Sequence, residues 1–517
     1  MITYTSAPAM ACVRPLALHV HQLLNHAARV HGQQVVVSFD AKGQRSTLSY
    51  AALAAGAAAC AQALRREGIG RGDAVLHLAL SSADQIAWLY GAASIGAVTH
   101  LLNPLFEPSH ALPLALQARP RLLLHDDACL PLARVLLAQA PGVLIRSMAD
   151  AATLPASAAP LGLDDATLDE QAPALVCYSS GTTGLPKAVQ YSHRSLVLHA
   201  WACAMTDAMG LSGSDRVLPL MQLFHATAWG APFVCPMIGA TLVLAPPSRD
   251  PALWLRCIEL ERVSVLGAVT AHWAALLAHL EHTGAKPTSL RSTVIGGTRV
   301  PPQLAQRIHD TLGIEVRQAW GMTETSPLAT MERLEPGGVT LRHGRPVFGL
   351  QLEIGSPLAA VDGLPLGELR VRGHWVATPG GEGGWLATGD LATVHEDGRL
   401  EVIDRIEDAV LGAGCIVSSA LVEANARSVP GVADAALVAC AANCSVLAWV
   451  HSGSDVPDDD ITQALQARLG AAFAGWRPDV LARVDRFPYT PSAKVQKQQL
   501  RQTLAAHPNV LARLAFA

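Results

Sequence analysis

A short strand-like run that hands over at once to a glycine-bearing polar loop recurs along this chain. That pattern constrains the fold more than any other feature. Ala174 to Cys177 leads into Tyr178-Ser179-Ser180-Gly181-Thr182-Thr183-Gly184-Leu185-Pro186-Lys187, Arg291 to Ile295 into Gly296-Gly297, and Glu315 to Trp320 into Gly321-Met322-Thr323-Glu324. Ala174 to Cys177 and Arg291 to Ile295 read as buried strands and Glu315 to Trp320 as a further strand. Gln34 to Phe39, Asp73 to Leu80, Val98 to Leu102, Arg121 to Leu124, Arg216 to Leu218, Gly239 to Leu244 and Val263 to Val269 read the same way. Helical stretches alternate with them: His21 to Val30, Ser49 to Arg66 with Ser49 as N-cap, Ala83 to Gly96, Ser195 to Met209, Trp273 to His282 and Pro302 to Thr311. Alternation of this kind predicts an α/β fold of doubly wound, mainly parallel sheets. In open α/β sheets ligands bind beyond the carboxyl ends of the strands, where these polar loops stand.

A chain of 517 residues is too long for one core. Ala151 to Pro173, rich in alanine and proline, reads as a connection into the loop at 178–187. Beyond residue 335 short Val/Leu runs (Leu350 to Ile354, Gly367 to Arg372, Leu400 to Ile403) predict a small antiparallel β region. Ser418 to Val429 and Asp459 to Leu469 then read as helices, and Val432 to Ala439 and Ser445 to Val450 as strands. The expected division is a large N-terminal domain, 1–404, and a smaller, mobile C-terminal α+β domain, 405–517.

Half the residues are hydrophobic and the net charge is −4 without a long basic run, which argues against nucleic acid or an anionic membrane as partner. The ten cysteines are scattered with no CxxC pair, and they read as buried thiols in a reducing compartment. Met1 to Val20 has no apolar core of signal-peptide type, and no stretch of eighteen apolar residues exists. A soluble cytoplasmic protein without an integral membrane segment is expected.

The loop from Ser179 to Lys187 offers glycine-exposed N–H groups, hydroxyls and one ammonium, which suits phosphate oxygens. It is not a Walker A loop, because Pro186 precedes the lysine and Ala188 follows it. Taken alone, a polar surface loop would look the same.

Four further motifs follow it in order. They are Gln318-Ala319-Trp320-Gly321-Met322-Thr323-Glu324, Gly384-Trp385-Leu386-Ala387-Thr388-Gly389-Asp390, Asp404-Arg405, and Lys494 within Pro488 to Lys494. With them the chain resembles the superfamily of acyl- and aryl-adenylate-forming enzymes, which includes acyl-CoA synthetases, luciferases and peptide-synthetase adenylation domains. The resemblance runs from about Leu48 to Lys494.

It implies a two-step reaction in which a carboxylate attacks the α-phosphate of ATP, pyrophosphate leaves, and the acyl-adenylate passes to a thiol. Carboxylates are ionised near neutral pH, so the first step needs charge and alignment more than a base. By resemblance, Ser179, Ser180, Gly181, Thr182, Thr183, Gly184 and Lys187 hold the β- and γ-phosphates. Thr323 reaches the α-phosphate, and Glu324 holds Mg²⁺, a hard cation suited to one carboxylate plus phosphate oxygens. Gln318, Ala319, Trp320, Gly321 and Met322 belong to the same nucleotide motif. Gly296 and Gly297 let adenine approach the backbone. Asp390 and Arg405 hold the ribose, and Lys494 bridges carboxylate and α-phosphate.

His225, in Leu223 to Gly230, matches the family's gate beside the acyl pocket, and Phe224 to Leu244 resembles the fatty acyl-CoA synthetase branch. Gly412 and Gly414 match the loop lining the pantetheine path, and Glu407 stands at the hinge about which the C-terminal domain turns. The chain departs from the family at Ala188, Ala413 and Ala493, where glycine is usual, and at Leu411, where many acyl-CoA synthetases carry lysine. An added β-carbon in a positive-φ loop costs about 1 kcal/mol.

The reading that results is an ATP- and Mg²⁺-dependent ligase joining a fatty or aryl carboxylic acid to coenzyme A. An acyl-carrier-protein phosphopantetheine is the alternative acceptor, and a catalytically silent adenylate- or acyl-binding protein the reading from another class. The oligomeric state is left open.

Overall fold

The computed structural model describes residues 16–40, 42–155, 157, 160–162, 167–179, 186–338, 342–361, 363–379, 384–412, 415–440, 444–473, 476–489 and 495–505. Two large sheets build the N-terminal part. The first has nine strands in the order Arg345–Pro346, Thr330–Leu334, Glu315–Trp320, Ser292–Gly296, Val265–Val269, Arg216–Pro219, Thr241–Leu244, Val35–Phe39 and Arg45–Ser49. Its central strands run parallel, and its edges are antiparallel. The second has six, ordered Leu144–Ser147, Leu122–His125, Ala74–Leu78, Val98–Leu101, Pro173–Tyr178 and Ala188–Ser192; all its pairings are parallel except the last.

Helices fill three layers around these sheets. The largest core lies between the sheets, where His21–Val30, Tyr50–Arg66, Ala83–Ser94, His193–Ala204 and Ala231–Ile238 present Leu24, Leu53, Trp88, Val197 and Phe233. A second core covers the outer face of the nine-stranded sheet with Trp254, Ile258, Trp273, Leu277 and Ile308. A third covers the outer face of the six-stranded sheet with Ala111, Leu114, Ala133 and Leu136. Strands such as Ala74–Leu78 are buried along their whole length, as strands covered on both faces must be.

The remaining units are smaller. Leu350–Val361, Leu364–Gly373, Leu386–Val394 and Leu400–Arg405 form a four-stranded antiparallel sheet, as the sequence predicts. In the C-terminal domain Val432–Cys440, Cys444–His451 and Val480–Val484 make one sheet. Ser419–Arg427 and Asp458–Ala472 cover one face of it, and Lys497–Ala505 covers the other.

Local expectations are met at Ser49, which caps its helix by accepting from Ala52 N at 3.2 Å. Cys60, Cys129, Cys177, Cys203, Cys235 and Cys257 are buried free thiols. The helix expected over Ser195 to Met209 instead starts at His193, capped by Ser192, and stops at Ala204. It stops because the carbonyls of Thr206 and Ala208 turn to the buried guanidinium of Arg317. The edge strands Arg45–Ser49 and Ala188–Ser192 and the helices Pro251–Leu260 and Ala231–Ile238 go beyond the sequence reading. Among the described residues no helix is long and apolar enough to cross a membrane.

Six imidazoles are folded into these cores uncharged. Burial lowers His77, His193, His199 and His343 to about 3, and His21 and His100 to about 4. The unfolded chain takes up protons at these positions below about pH 6.5 while the native one does not. Each therefore contributes stability that is present above pH 6.5 and lost at about 1.4 kcal/mol per pH unit as pH falls. Burial raises the carboxyls of Asp126 and Asp404 to about 6, which works in the opposite direction. Two groups do not reverse six. The melting midpoint is expected to fall steadily between pH 7 and pH 5; a flat profile there would show that the imidazoles are not held neutral.

Candidate active site

The hydroxyl- and glycine-rich loop connects two strands that pair antiparallel. Pro173–Tyr178 enters it, Ala188–Ser192 leaves it antiparallel, and Tyr178 pairs with Ala188. Its stem is closed by Ser179 N donating to Lys187 O at 2.8 Å and Lys187 N donating to Ser179 Oγ at 3.3 Å. Lys187 is exposed. Ser180, Gly181, Thr182, Thr183 and Gly184 lie outside the described residues. A hairpin stem differs from the strand–loop–helix of a Walker site, in keeping with the sequence around Pro186.

The second motif sits where the two large sheets meet. After strand Glu315–Trp320 the chain makes a single tight turn over Thr323–Thr325. Four ties hold it. Tyr191, buried in the strand leaving the hairpin, donates from Oη to Thr323 O at 2.7 Å. Ala377 N donates to Glu324 O at 2.7 Å, and Ser326 Oγ donates to Trp375 O at 3.1 Å. Thr325 Oγ1 accepts from Met322 N at 2.9 Å. Burial, with Cys177 and Glu324 nearby, raises the Tyr191 phenol well above its ordinary value, so it stays a neutral donor.

Among the described residues no hydrogen bond or ion pair occupies the side chains of Thr323 and Glu324, which are half-buried. A pinned turn with an unpartnered hydroxyl and carboxylate suits a ligand carrying phosphate oxygens and a hard cation.

Glycine at 321 has a steric cause. A β-carbon there would fall 1.7 Å from Pro327 O and 3.0 Å from Thr325 Oγ1. Gln318 supports the site from within. It is buried, accepts from Val300 N at 2.6 Å and donates to Arg342 O at 2.9 Å, and so shapes the loop after Gly296-Gly297. Ala319 and Trp320 are half-buried beside it. Gly297 has φ +85°, a conformation that favours glycine, and Gly296 faces the Trp229 ring, whose atoms lie 3.2 Å from where a β-carbon would stand.

That tryptophan ends the least expected segment of the site. Ala226, Thr227, Ala228 and Trp229 all have positive φ, between 35° and 57°. A left-handed turn costs L-residues about 1–2 kcal/mol each, so its surroundings must hold it. Ala228 N donates to His225 O at 2.9 Å, Gly230 N donates to Thr227 O at 3.0 Å, and Thr227 Oγ1 lies 3.3 Å from Cys177 Sγ. Cys177 precedes the phosphate-type hairpin, so this turn and that loop share a support. His225, half-buried, opens the turn with its ring 4.7 Å from that of Phe224.

The third part lies on the four-stranded sheet. Asp390 and Arg405 are cross-strand partners, joined at 2.8 Å, with Arg405 also donating to Thr388 O at 3.0 Å. Gly389, at φ +72°, takes a left-handed conformation within the strand just before the aspartate, and its N–H donates to Glu368 at 3.1 Å. The aspartate keeps the Arg405 guanidinium charged against the cost of its burial. Gly412 lies in the short hairpin Val410–Gly412 with Cys415–Val417, while Gly414 and Ala413 lie outside the described residues. Lys494 and Ala493 lie outside them too. The stem of their loop is closed by the Tyr489–Val495 bridge and by Gln496 N donating to Pro488 O at 2.8 Å.

Known proteins match this arrangement. The family profile described as AMP-binding enzyme matches residues 24–379. A 3-methylmercaptopropionyl-CoA ligase of Ruegeria lacuscaerulensis is 32% identical over 94% of this chain and 97% of its own. A medium-chain-fatty-acid–CoA ligase of Ectopseudomonas oleovorans is 33% identical over 94% and 96%. An anthranilate–CoA ligase solved with anthranoyl-AMP superposes with a TM-score of 0.84 at 24% identity, covering 95% of this chain and 99% of that one.

Proposed function

Because the chain belongs to the AMP-binding enzyme family, we propose that it is an AMP-forming ligase joining a fatty or aryl carboxylic acid to coenzyme A. The observation that carries this reading is the junction made by Tyr191. One buried hydroxyl ties the strand leaving the phosphate-type loop to the turn that presents Thr323 and Glu324. Groups suited to separate phosphates are thereby fixed relative to one another, which is what an in-line displacement at the α-phosphate requires.

The residues divide the work by charge. Lys187 and its loop take the β- and γ-phosphates that leave as pyrophosphate, and Thr323 donates to the α-phosphate. Glu324 suits Mg²⁺, whose contribution when bound is to neutralise phosphate charge. Asp390 and Arg405 fix the ribose. Lys494 has the role of bridging the acid's carboxylate and the phosphate it attacks, where its charge would offset their repulsion. The thiol then displaces AMP from the acyl-adenylate, along a path beside the hairpin that bears Gly412. Coenzyme A is favoured over a carrier protein because both full-length relatives above are named as CoA ligases.

Pyrophosphate release from ATP and Mg²⁺ is the test, run over fatty, aryl and amino acids with and without coenzyme A. Acid-dependent release with an acyl-CoA product is expected. Release without that product would transfer the acceptor to a carrier protein, and no release with any acid would leave a silent binder. Gly321→Ala is expected to lower kcat/KM for ATP about a hundredfold, because the turn must shift by an ångström or so to admit the β-carbon. Near-normal turnover in that variant would show that the position of the turn is not critical.

A further inference from the structure

The segment joining the two domains is gripped from both sides, and the grips change owner within a few residues. Strand Leu400–Arg405 belongs to the N-terminal sheet, where Arg299 donates to Val402 O and Val402 N donates to His343 Nδ1 at 3.2 Å. Arg405 turns back to Asp390, also on the N-terminal side. Asp408 faces the other way, to Arg501 and Lys497 of the final helix, and Arg501 donates to Glu407 O at 2.7 Å. Ile406 N still donates to Gly389 O at 2.9 Å on the N-terminal side, whereas Glu407 O already belongs to Arg501, which places the pivot between residues 406 and 407.

One cluster crosses that pivot. Ser418 Oγ donates to Ile403 O at 2.7 Å, and Ser419, the first residue of helix Ser419–Arg427, donates from both N and Oγ to the Asp404 carboxylate. Behind it Lys497 Nζ, half-buried, donates to Ser419 Oγ at 2.7 Å and pairs with Glu423 at 2.8 Å. The chain of contacts thus runs Lys497 to Ser419 to Asp404, from the helix that follows the Lys494 loop to the last strand of the four-stranded sheet. Contacts on Asp408 travel with the C-terminal domain in any rotation, but those on Ile403 and Asp404 cannot. Burial raises Asp404 to about 6, and the donors of Ser419 and the charge of Lys497 work against that rise. The site is therefore costly for a carboxylate unless Ser419 and Lys497 face it.

We propose that Asp404, Ser419 and Lys497 form an orientation latch, three positioning residues that hold the C-terminal domain in one setting against the N-terminal domain. Its consequence for catalysis rests on the two-step reading above: a latch that favours one setting favours one half-reaction and must open for the other. Lys497 opens the helix just past the Tyr489–Val495 bridge, so the latch also fixes where the Lys494 loop ends.

The test uses the full chain with a fluorophore pair at Val135→Cys and Asp455→Cys, both exposed positions in different domains. Single-molecule energy transfer should show one dominant inter-domain distance. In Ser419→Ala that population should lose ground to others by about fivefold, the size of one hydrogen bond, and Ser419→Thr should restore it. Asp404→Asn should act in the same direction. In parallel, the ratio of pyrophosphate exchange to thiolysis of supplied acyl-adenylate should shift by a similar factor. Distance distributions unchanged in both Ser419→Ala and Asp404→Asn would overturn the latch. So would equal losses of both half-reactions at constant distance, the mark of a purely structural role. Absence of exchange in the unmodified enzyme would sink the ligase reading instead, and the distance measurement would still decide the latch.

Discussion

Lys494→Ala is expected to lower acid-dependent pyrophosphate exchange by about 10²–10³-fold, the usual loss when one preorganised charge is removed from a developing anionic centre. Thiolysis of a supplied acyl-adenylate should survive, because by then the phosphate repulsion that the lysine offsets has been overcome. The fold supports so local an effect. The Lys494 loop is closed at its stem by the Tyr489–Val495 bridge, and Tyr489 Oη donates to Asp434 at 2.7 Å. The next helix packs on the small sheet through Leu500 and Leu504. None of these contacts involves the lysine, so the melting midpoint should not move. Stopped-flow measurement of both half-reactions separates the cases. Loss of thiolysis with exchange intact would reverse the assignment, and equal loss of both would indicate a damaged domain.

The strands that carry the site were legible because each is a short run that hands over to a glycine-bearing polar loop. Glu315–Trp320 is found where the sequence places it, and the Ser49 N-cap bonds as its side chain predicts. The antiparallel edges were harder. Arg45–Ser49 and Ala188–Ser192 are half-exposed and polar, so their composition resembles a loop; only pairing with a neighbour makes them strands. That is why the loop before Lys187 reads from sequence as strand-then-loop and emerges as a hairpin.

Within the site, the motif letters gave the positions but not what each side chain does there. Gln318 stands in the nucleotide motif, yet its amide is used internally by Val300 and Arg342. Tyr191, which ties the site together, carried no signal at all. Its hydroxyl acts on residue 323, a partner 132 positions away. The left-handed turn over Ala226–Trp229 was equally hidden, since alanine, threonine and tryptophan give no local reason for positive φ. Strain of that kind is imposed by surroundings that sequence spacing does not reveal.

Asp390→Ala should weaken ATP binding by roughly tenfold to a hundredfold, because a hydrogen bond to a charged acceptor contributes about 1.5–3 kcal/mol. The loss has two parts that can be told apart. The carboxylate is nearly buried (7% exposed) and holds Arg405 at 2.8 Å, so its removal also frees a guanidinium that is itself proposed to meet the ribose. Asp390→Asn keeps one acceptor oxygen while removing the charge and the second acceptor, and should therefore lose less than alanine. Arg405→Ala gives the third corner, and the double variant closes the cycle. If both residues act on the same ribose, the combined loss in ATP affinity should fall short of the sum of the single losses. Side-chain exposure of Arg405 is 40%, so solvent screens the pair and a small change in melting midpoint is expected beside the large change in affinity. An Asp390→Ala enzyme with unchanged ATP affinity would remove the pair from the nucleotide site and leave it as a clasp between two strands of the small sheet.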